Sequence, residues 1–127
     1  MPTTPGPVIV VDDDAAVRSA LKFALELEGL RVDAYESGPA LLAHADLTTA
    51  GCLVIDQYMP GMTGLELLAR LREQRIDLPA ILITARMSDG LRVLAARGGV
   101  RQVLEKPLED GALLDGIRSA MASRLAG

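Results

Sequence analysis

The sequence predicts an α/β fold in which a doubly wound sheet of five parallel strands is flanked by five helices. Short apolar runs rich in β-branched residues recur along the chain, and a segment of helical periodicity follows each of them. This alternation is typical of right-handed βαβ crossovers, which place helices on both faces of a parallel sheet. Three of the runs are apolar without alternation, as expected for strands that are covered on both faces.

The five apolar runs are too short for helices and have the length of strands. The runs without alternation, which we expect at the centre of the sheet, are Val8–Val11, Cys52–Ile55 and Ala80–Ile83. The other two predicted strands are Val32–Tyr35 and Val100–Leu104.

The segments between the strands carry apolar stripes at helical spacing, and Gly29 is expected to end the first helix. The predicted buried face of that helix comprises Val17, Ala20, Leu21, Ala24 and Leu27. The other four stripes comprise Leu41, Leu42 and Ala45; Leu67, Leu68 and Leu71; Leu91, Leu94 and Ala95; and Leu113, Leu114, Ile117 and Met121.

The composition fits one globular domain and excludes several classes of protein. We expect the domain over residues 7–124, with a disordered N-terminal tail over 1–6 and a C-terminal tail over 125–127. The single cysteine, Cys52, excludes an internal disulfide and a zinc site built on cysteines. A net charge of −4 argues against nucleic-acid binding, which depends on Lys and Arg. No apolar stretch approaches the roughly 18 residues of a membrane helix, so we expect a cytoplasmic protein.

Acidic residues follow the first and third predicted strands, where doubly wound folds place their sites. Asp14 can serve as a helix N-cap, but a cap does not require two further acids, Asp12 and Asp13. Asp56 follows the third strand and precedes a loop shaped by proline and glycine. If these two strands are neighbours, three carboxylates come together, and such hard oxygen ligands are typical of a Mg²⁺ site.

The fourth and fifth strands end at Thr84-Ala85 and Lys106-Pro107. A threonine at this position can be an ordinary strand residue, and Lys106 can form a simple salt bridge with Glu105. Lys106 is nevertheless one of only two lysines beside eleven arginines. A lysine offers a compact point charge that suits a single phosphate or carboxylate oxygen.

Together these motifs resemble the receiver domain of two-component response regulators, most closely the FixJ-type receivers. The resemblance extends from Pro7 to about Ala122. It rests on Val10–Asp14, on the motif Asp56-x-x-Met59-Pro60-Gly61-Met62-x-Gly64, on Thr84-Ala85 and on Lys106-Pro107. It implies a flavodoxin-like sheet with strand order 2-1-3-4-5.

The resemblance implies a role for each site residue. Asp56 is similar to the phosphoacceptor. Asp13 resembles a direct Mg²⁺ (or Mn²⁺) ligand and Asp12 a ligand that acts largely through water, with Asp56 and the backbone carbonyl of Tyr58 completing the protein ligands. Thr84 resembles the switch hydroxyl that binds the phosphoryl group.

The resemblance extends to the neighbours of these residues. Ala85 resembles the small residue beside the switch hydroxyl, Lys106 the partner of the phosphoryl group, and the bond before Pro107 is expected to be cis. Val103 departs from the family, which carries Phe or Tyr there. We therefore expect a smaller or differently placed switch.

Three variable positions, Gln57, Tyr58 and Arg86, flank the acceptor and the switch residue, and their side chains are expected to tune the lifetime of the acyl phosphate. His44 is the only histidine and lies far in sequence from every strand end, so we expect a surface or boundary position and no histidine-based catalysis.

The function implied is that of a phosphoacceptor signalling domain and not of an ordinary enzyme. It would receive a phosphoryl group from a sensor histidine kinase or a phosphotransfer protein and control a downstream protein or output domain, with homodimer formation as one expected response. Two alternatives stay open: a pseudo-receiver that is never phosphorylated, and a phosphohydrolase with an aspartyl nucleophile. The phosphohydrolases need a second Asp where this chain has Tyr58.

Overall fold

A computed structural model of the chain describes residues 6–44, 46–108 and 111–126. Strands and helices alternate along the chain, and every predicted strand is confirmed. The elements are β1 Val8–Val11, α1 Ala15–Leu27, β2 Val32–Tyr35, α2 Gly38–His44, β3 Cys52–Asp56, α3 Gly64–Glu73, β4 Ala80–Thr84, α4 Asp89–Arg97, β5 Val100–Glu105 and α5 Ala112–Ala126. The last three strands each extend one residue beyond the apolar run, so Asp56, Thr84 and Glu105 lie within the sheet.

The five strands form one parallel sheet in the order β2-β1-β3-β4-β5, which confirms the order that the resemblance implied. β1 pairs with both β2 and β3, and Val11 lies opposite Ile55. Asp56 lies opposite Ile83 in the next pair, and Thr84 opposite Glu105 in the last. Because all strands are parallel, the residues that follow them meet at one edge of the sheet.

Two apolar layers hold this sheet in place. Helices α2, α3 and α4 cover one face, and α1 and α5 cover the other. Every residue of β1, β3 and β4 is buried, as expected for strands covered on both sides. The site residues at the ends of these strands are therefore carried by the most rigidly packed part of the fold.

The predicted buried face of α1 is wrong in part. Leu25 is buried and Leu21 packs beside it, but Leu27 is 71% exposed, and Ala20 and Ala24 are exposed too. The buried face is centred on Leu21 and on Leu25, which the predicted stripe omits, and Ala20, Ala24 and Leu27 lie to one side of it. In α4, Leu94 is likewise 55% exposed, while its neighbours in the predicted stripe are buried.

The ends of α1 form as the sequence predicts. Gly29 adopts a positive φ of 87° just beyond the helix. Its amide donates to the carbonyl of Glu26, and the amide of Leu30 donates to that of Leu25, which is the Schellman arrangement. Because α1 stops there, the chain turns directly into β2.

Parts of several predictions fall outside the described residues. These are residues 1–5 and 127 of the tails, Ala45, and the side chain of His44. Gly6 leaves no room for a side chain beside the backbone of Thr49, and residues 125–126 continue α5. Among the helices described, none combines the length and the apolar character that a bilayer crossing requires.

Candidate functional site

The acidic residues at the carboxyl ends of β1 and β3 lie together at one edge of the sheet. Since Val11 and Ile55 are paired, the next residues, Asp12 and Asp56, are brought side by side. Carboxylate oxygens of Asp12, Asp13 and Asp56 all lie within 4.8 Å of one another. Asp12 and Asp56 are buried, at 2% and 6% exposure, whereas Asp13 is exposed. The predicted juxtaposition of the three carboxylates is therefore present.

The loop between β1 and α1 fixes the direction of Asp12. Its Oδ1 atom accepts a hydrogen bond of 2.9 Å from the amide of Asp14, and its backbone carbonyl accepts one of 2.7 Å from the guanidinium of Arg18. Asp14 itself is the N-cap of α1, where its side chain accepts from the amides of the first turn. Of the three consecutive acidic residues, Asp12 and Asp13 are thus left to contribute to the carboxylate cluster.

Arg18 was not singled out from the sequence. It lies directly after Val17 and three residues before Leu21, on the side of α1 that faces the sheet. An arginine at such a position is rarely left without an acceptor. That signal, together with its place one turn after an acidic loop, could have identified it.

Lys106 lies between the two buried carboxylates. Its Nζ atom is 3.7 Å from Asp12 Oδ2 and 3.6 Å from Asp56 Oδ1, and its side chain is 31% exposed. Its backbone amide donates to the carbonyl of Thr84 at 2.8 Å, which ties the end of β5 to β4. The alternative partner, Glu105, instead accepts a hydrogen bond from the amide of Met87 at 3.1 Å.

The site carries more negative than positive charge. Burial raises the pKa of Asp56 above its ordinary value, and the neighbouring Asp12 and Asp13 raise it further. Lys106 and a hydrogen bond from the backbone of Tyr58 oppose this rise without cancelling it. Three carboxylates against one ammonium group favour the binding of a cation, and their oxygens are the ligands that Mg²⁺ prefers.

The loop after Asp56 is anchored by its first residue. Gln57 is only 8% exposed, and its Oε1 atom accepts a hydrogen bond of 3.0 Å from the amide of Leu65 at the start of α3. Of the three variable positions that flank the acceptor and the switch residue, Gln57 differs from Tyr58 and Arg86 in its burial. The structure leaves Tyr58 and Arg86 exposed and turns the Gln57 side chain towards α3.

The end of β4 carries a hydroxyl that is already bonded. Thr84 is fully buried, and its Oγ1 atom donates to the carbonyl of Arg86 at 3.0 Å and accepts from the amide of Arg86 at 3.2 Å. Ala85 between them is exposed. The hydroxyl therefore holds the start of the loop between β4 and α4.

The end of β5 contributes a half-buried side chain and a cis bond. Val103 packs against the apolar layer formed by α2, α3 and α4. The peptide bond between Lys106 and Pro107 is cis.

Comparisons with known proteins agree with this geometry. Residues 8–118 match the model of the family described as the response regulator receiver domain. Over 117 residues the chain is 43% identical to the C4-dicarboxylate transport transcriptional regulatory protein DctD of Pseudomonas aeruginosa, covering 92% of this chain and 25% of DctD. Over 119 residues it is 39% identical to the transcriptional regulatory protein FixJ of Bradyrhizobium diazoefficiens, covering 94% of this chain and 58% of FixJ.

A solved structure shows the same fold. The crystal structure of FixJ-N superposes with a TM-score of 0.86 at 36% identity, covering 94% of this chain and 96% of that one. The chain spans between a quarter and about three-fifths of the length of the two curated relatives. Neither alternative class, the pseudo-receiver or the phosphohydrolase, is favoured by these findings. From its sequence, its fold and its acidic strand ends alike, this chain belongs to the response regulator receiver domain family.

Proposed function

We propose that Asp56 accepts a phosphoryl group from the phosphohistidine of a sensor histidine kinase or a phosphotransfer protein. The observation that carries this proposal is the position of its carboxylate, within 4.8 Å of two further carboxylates and 3.6 Å from the ammonium group of Lys106. A carboxylate is a weak nucleophile towards a dianionic phosphoryl group, so charge must be neutralised as the two approach. We assign this reaction to residues 7–124.

The residues that would hold Mg²⁺ or Mn²⁺ are Asp12, Asp13, Asp56 and the backbone carbonyl of Tyr58. Their donor atoms are all oxygens, and the excess of negative charge around Asp56 fits a divalent cation. When bound, the ion supplies positive charge that neutralises the phosphoryl oxygens. Asp13, the exposed member of the set, is the side chain most open to an incoming ion.

In the proposed reaction a carboxylate oxygen of Asp56 forms a bond to phosphorus as the bond from phosphorus to the donor imidazole breaks. The imidazole leaves with the electron pair and is protonated. In the structure the ammonium group of Lys106 contacts Asp12 and Asp56. In the phosphorylated chain it would also contact a phosphoryl oxygen. The chain thereby assists its own phosphorylation, and attack of water on the phosphorus of the acyl phosphate would release inorganic phosphate and restore the Asp56 carboxylate.

The switch would begin at Thr84, with the exposed Ala85 leaving room beside it. To donate to a phosphoryl oxygen, the Thr84 hydroxyl must give up the carbonyl of Arg86. The loop that precedes α4 then loses its hydrogen bond to the Thr84 hydroxyl. This loss shifts the equilibrium between the unphosphorylated and the active conformation. Val103 stands where the family carries Phe or Tyr, and its short side chain cannot move as an aromatic ring could. We therefore place the response in the loop before α4.

The response would act in the cytoplasm on a downstream protein, on an output domain or through homodimer formation. The test of the proposed function is phosphorylation with acetyl phosphate in the presence of Mg²⁺, read by intact mass. We expect one added phosphoryl group in the parent chain and none in Asp56→Asn or in the presence of a chelator. Failure to add the group, with acetyl phosphate and with a histidine kinase donor alike, would instead support the pseudo-receiver. Continuous release of phosphate from many substrates would support the phosphohydrolase.

A further inference from the structure

Gln57, the residue after the acceptor, forms three hydrogen bonds to two different elements. Its amide donates to the carbonyl of Ile83 in β4 at 2.8 Å. Its backbone carbonyl accepts from the amide of Gly64 at 3.0 Å, and its side-chain carbonyl accepts from the amide of Leu65 at 3.0 Å. A glutamine that is 8% exposed is thus engaged through both its backbone and its side chain.

These bonds close the segment from residue 57 to residue 64 into a loop whose two ends touch. Gly64 makes the closure tight, because a Cβ atom there would lie 2.7 Å from the carbonyl oxygen of Asp56 and 2.8 Å from a methyl group of Leu82. The side chain of Gln57 adds the second bond that joins the end of β3 to the start of α3. The direction in which the backbone leaves Gln57 is therefore fixed by these contacts.

Tyr58 is the next residue in this loop and carries the proposed carbonyl ligand. Its own side chain is 55% exposed and does not anchor it in the core. The residues on either side do so instead: Gln57 through its three bonds, and Met59 through its burial in the apolar layer beneath. The amide of Tyr58 also donates to Asp56, so the orientation of the Tyr58 carbonyl depends on Asp56 as well as on Gln57 and Met59.

We propose that Gln57 is a positioning residue whose side-chain bond to the Leu65 amide orients the Tyr58 carbonyl for the metal ion. This inference rests on the proposed function, in which that carbonyl is a ligand. The competing interpretation is that Gln57 merely stabilises the first turn of α3. That turn already has a cap, since Thr63 and Glu66 form a reciprocal capping box.

The two interpretations differ in what the loss of each bond should do. Gln57→Met keeps the length of the side chain and removes the acceptor for the Leu65 amide. Thr63→Val is the matched control, because it removes the acceptor for the Glu66 amide in the same turn. Each should lower the urea concentration at the midpoint of unfolding, because each removes the acceptor of one hydrogen bond. Only Gln57 precedes the carbonyl that would bind the ion.

The experiment is calorimetric titration of the parent chain and both variants with Mg²⁺, alongside urea unfolding. We expect Gln57→Met to bind Mg²⁺ roughly tenfold more weakly, the usual effect of losing an outer-sphere partner. We expect Thr63→Val to stay within twofold of the parent at a similar loss of stability. The carbonyl ¹³C shift of Tyr58 on saturation with Mg²⁺ should also differ between Gln57→Met and the parent.

Unchanged affinity in Gln57→Met, or equal losses in both Gln57→Met and Thr63→Val, would overturn the positioning role and leave the proposed function intact. Absence of Mg²⁺ binding by the parent chain would overturn both. Because the parent is measured first, the two failures are distinguishable.

Discussion

The hydroxyl of Thr84 donates a hydrogen bond to the carbonyl oxygen of Arg86 at 3.0 Å and accepts one from the amide of the same residue at 3.2 Å. The group that is proposed to bind a phosphoryl oxygen thus holds the loop before α4 instead. The two tasks compete for one proton, because a hydroxyl has a single O–H to donate. Phosphorylation of Asp56 would therefore free the carbonyl of Arg86.

The first prediction concerns where the chain responds. On addition of Mg²⁺ and beryllofluoride, a stable mimic of the phosphoryl group, the amide resonances of Arg86 and Met87 should shift most among the residues that do not touch the ligands. The resonances around Val103 should shift little, because this half-buried valine carries no ring that could move between core and surface. Heteronuclear NMR spectra check this, with Thr84→Val as the control that should lose the Arg86 response. Large contiguous shifts around Val103 would contradict it.

The second prediction concerns Glu105, which accepts a hydrogen bond from the amide of Met87 at 3.1 Å. This bond is a second tether on the same loop, so Glu105→Ala should favour the released state. Beryllofluoride should bind about twofold to fivefold more tightly, in line with the loss of one exposed hydrogen bond. Glu105→Gln retains an acceptor oxygen and should bind like the parent chain. Weaker binding by Glu105→Ala would show that the tether supports the active state.

The third prediction concerns stability without metal. Burial and the neighbouring carboxylates raise the pKa of Asp56, so its ionised form destabilises the folded state. In chelator at neutral pH, Asp56→Asn should gain about 1 kcal/mol in the free energy of unfolding, or roughly 4 °C in Tm. Asp13→Asn, at the exposed member of the cluster, is the control and should gain less.

The sign of this effect with pH follows from the direction of the shift. Below the unfolded-state pKa, Asp56 is protonated in both states and the substitution should bring no gain. The gain should grow as pH rises towards the raised folded-state pKa and be complete above it. Thermal unfolding from acid to neutral pH measures this, and a gain that is largest in acid would contradict the assignment.

The fourth prediction concerns Cys52, a fully buried thiol in β3. Burial raises the pKa of this thiol to about 12, so the reactive thiolate is disfavoured at neutral pH. At pH 8 the native chain should react with an aromatic disulfide reagent only through unfolding, and one thiol should react at once in concentrated denaturant. Rapid reaction of the native chain would mean that β3 opens locally.

The sequence alone was sufficient for the strands and for the residues at their ends. Runs such as Val8–Val11 are identified by composition, and parallel strands must bring Asp12 and Asp56 to a common edge. The order of the strands came from the resemblance to a known family, because no local pattern encodes which strands pair.

The contacts that depend on distant backbone positions could not be predicted. Leu27 belongs to the apolar stripe of α1 by spacing, yet α1 packs against the sheet through Leu21 and Leu25, and Leu27 is 71% exposed. From the sequence Gln57 is only a polar residue at a variable position, because its hydrogen bond with the amide of Leu65 depends on where α3 begins in space. Likewise, the direction of the Thr84 hydroxyl depends on how the loop after it turns, which the sequence does not specify.

The most direct test of the central claim is to locate the phosphoryl group. The chain is phosphorylated with a histidine kinase and Mg²⁺, reduced with borohydride, digested and sequenced by tandem mass spectrometry. Because borohydride reduces an aspartyl phosphate to homoserine, homoserine should appear at position 56 and at no other aspartate of the recovered peptides. Homoserine at Asp12 or Asp13, or an unreduced Asp56 in a chain that carries the phosphoryl mass, would contradict the assignment of Asp56 as the acceptor.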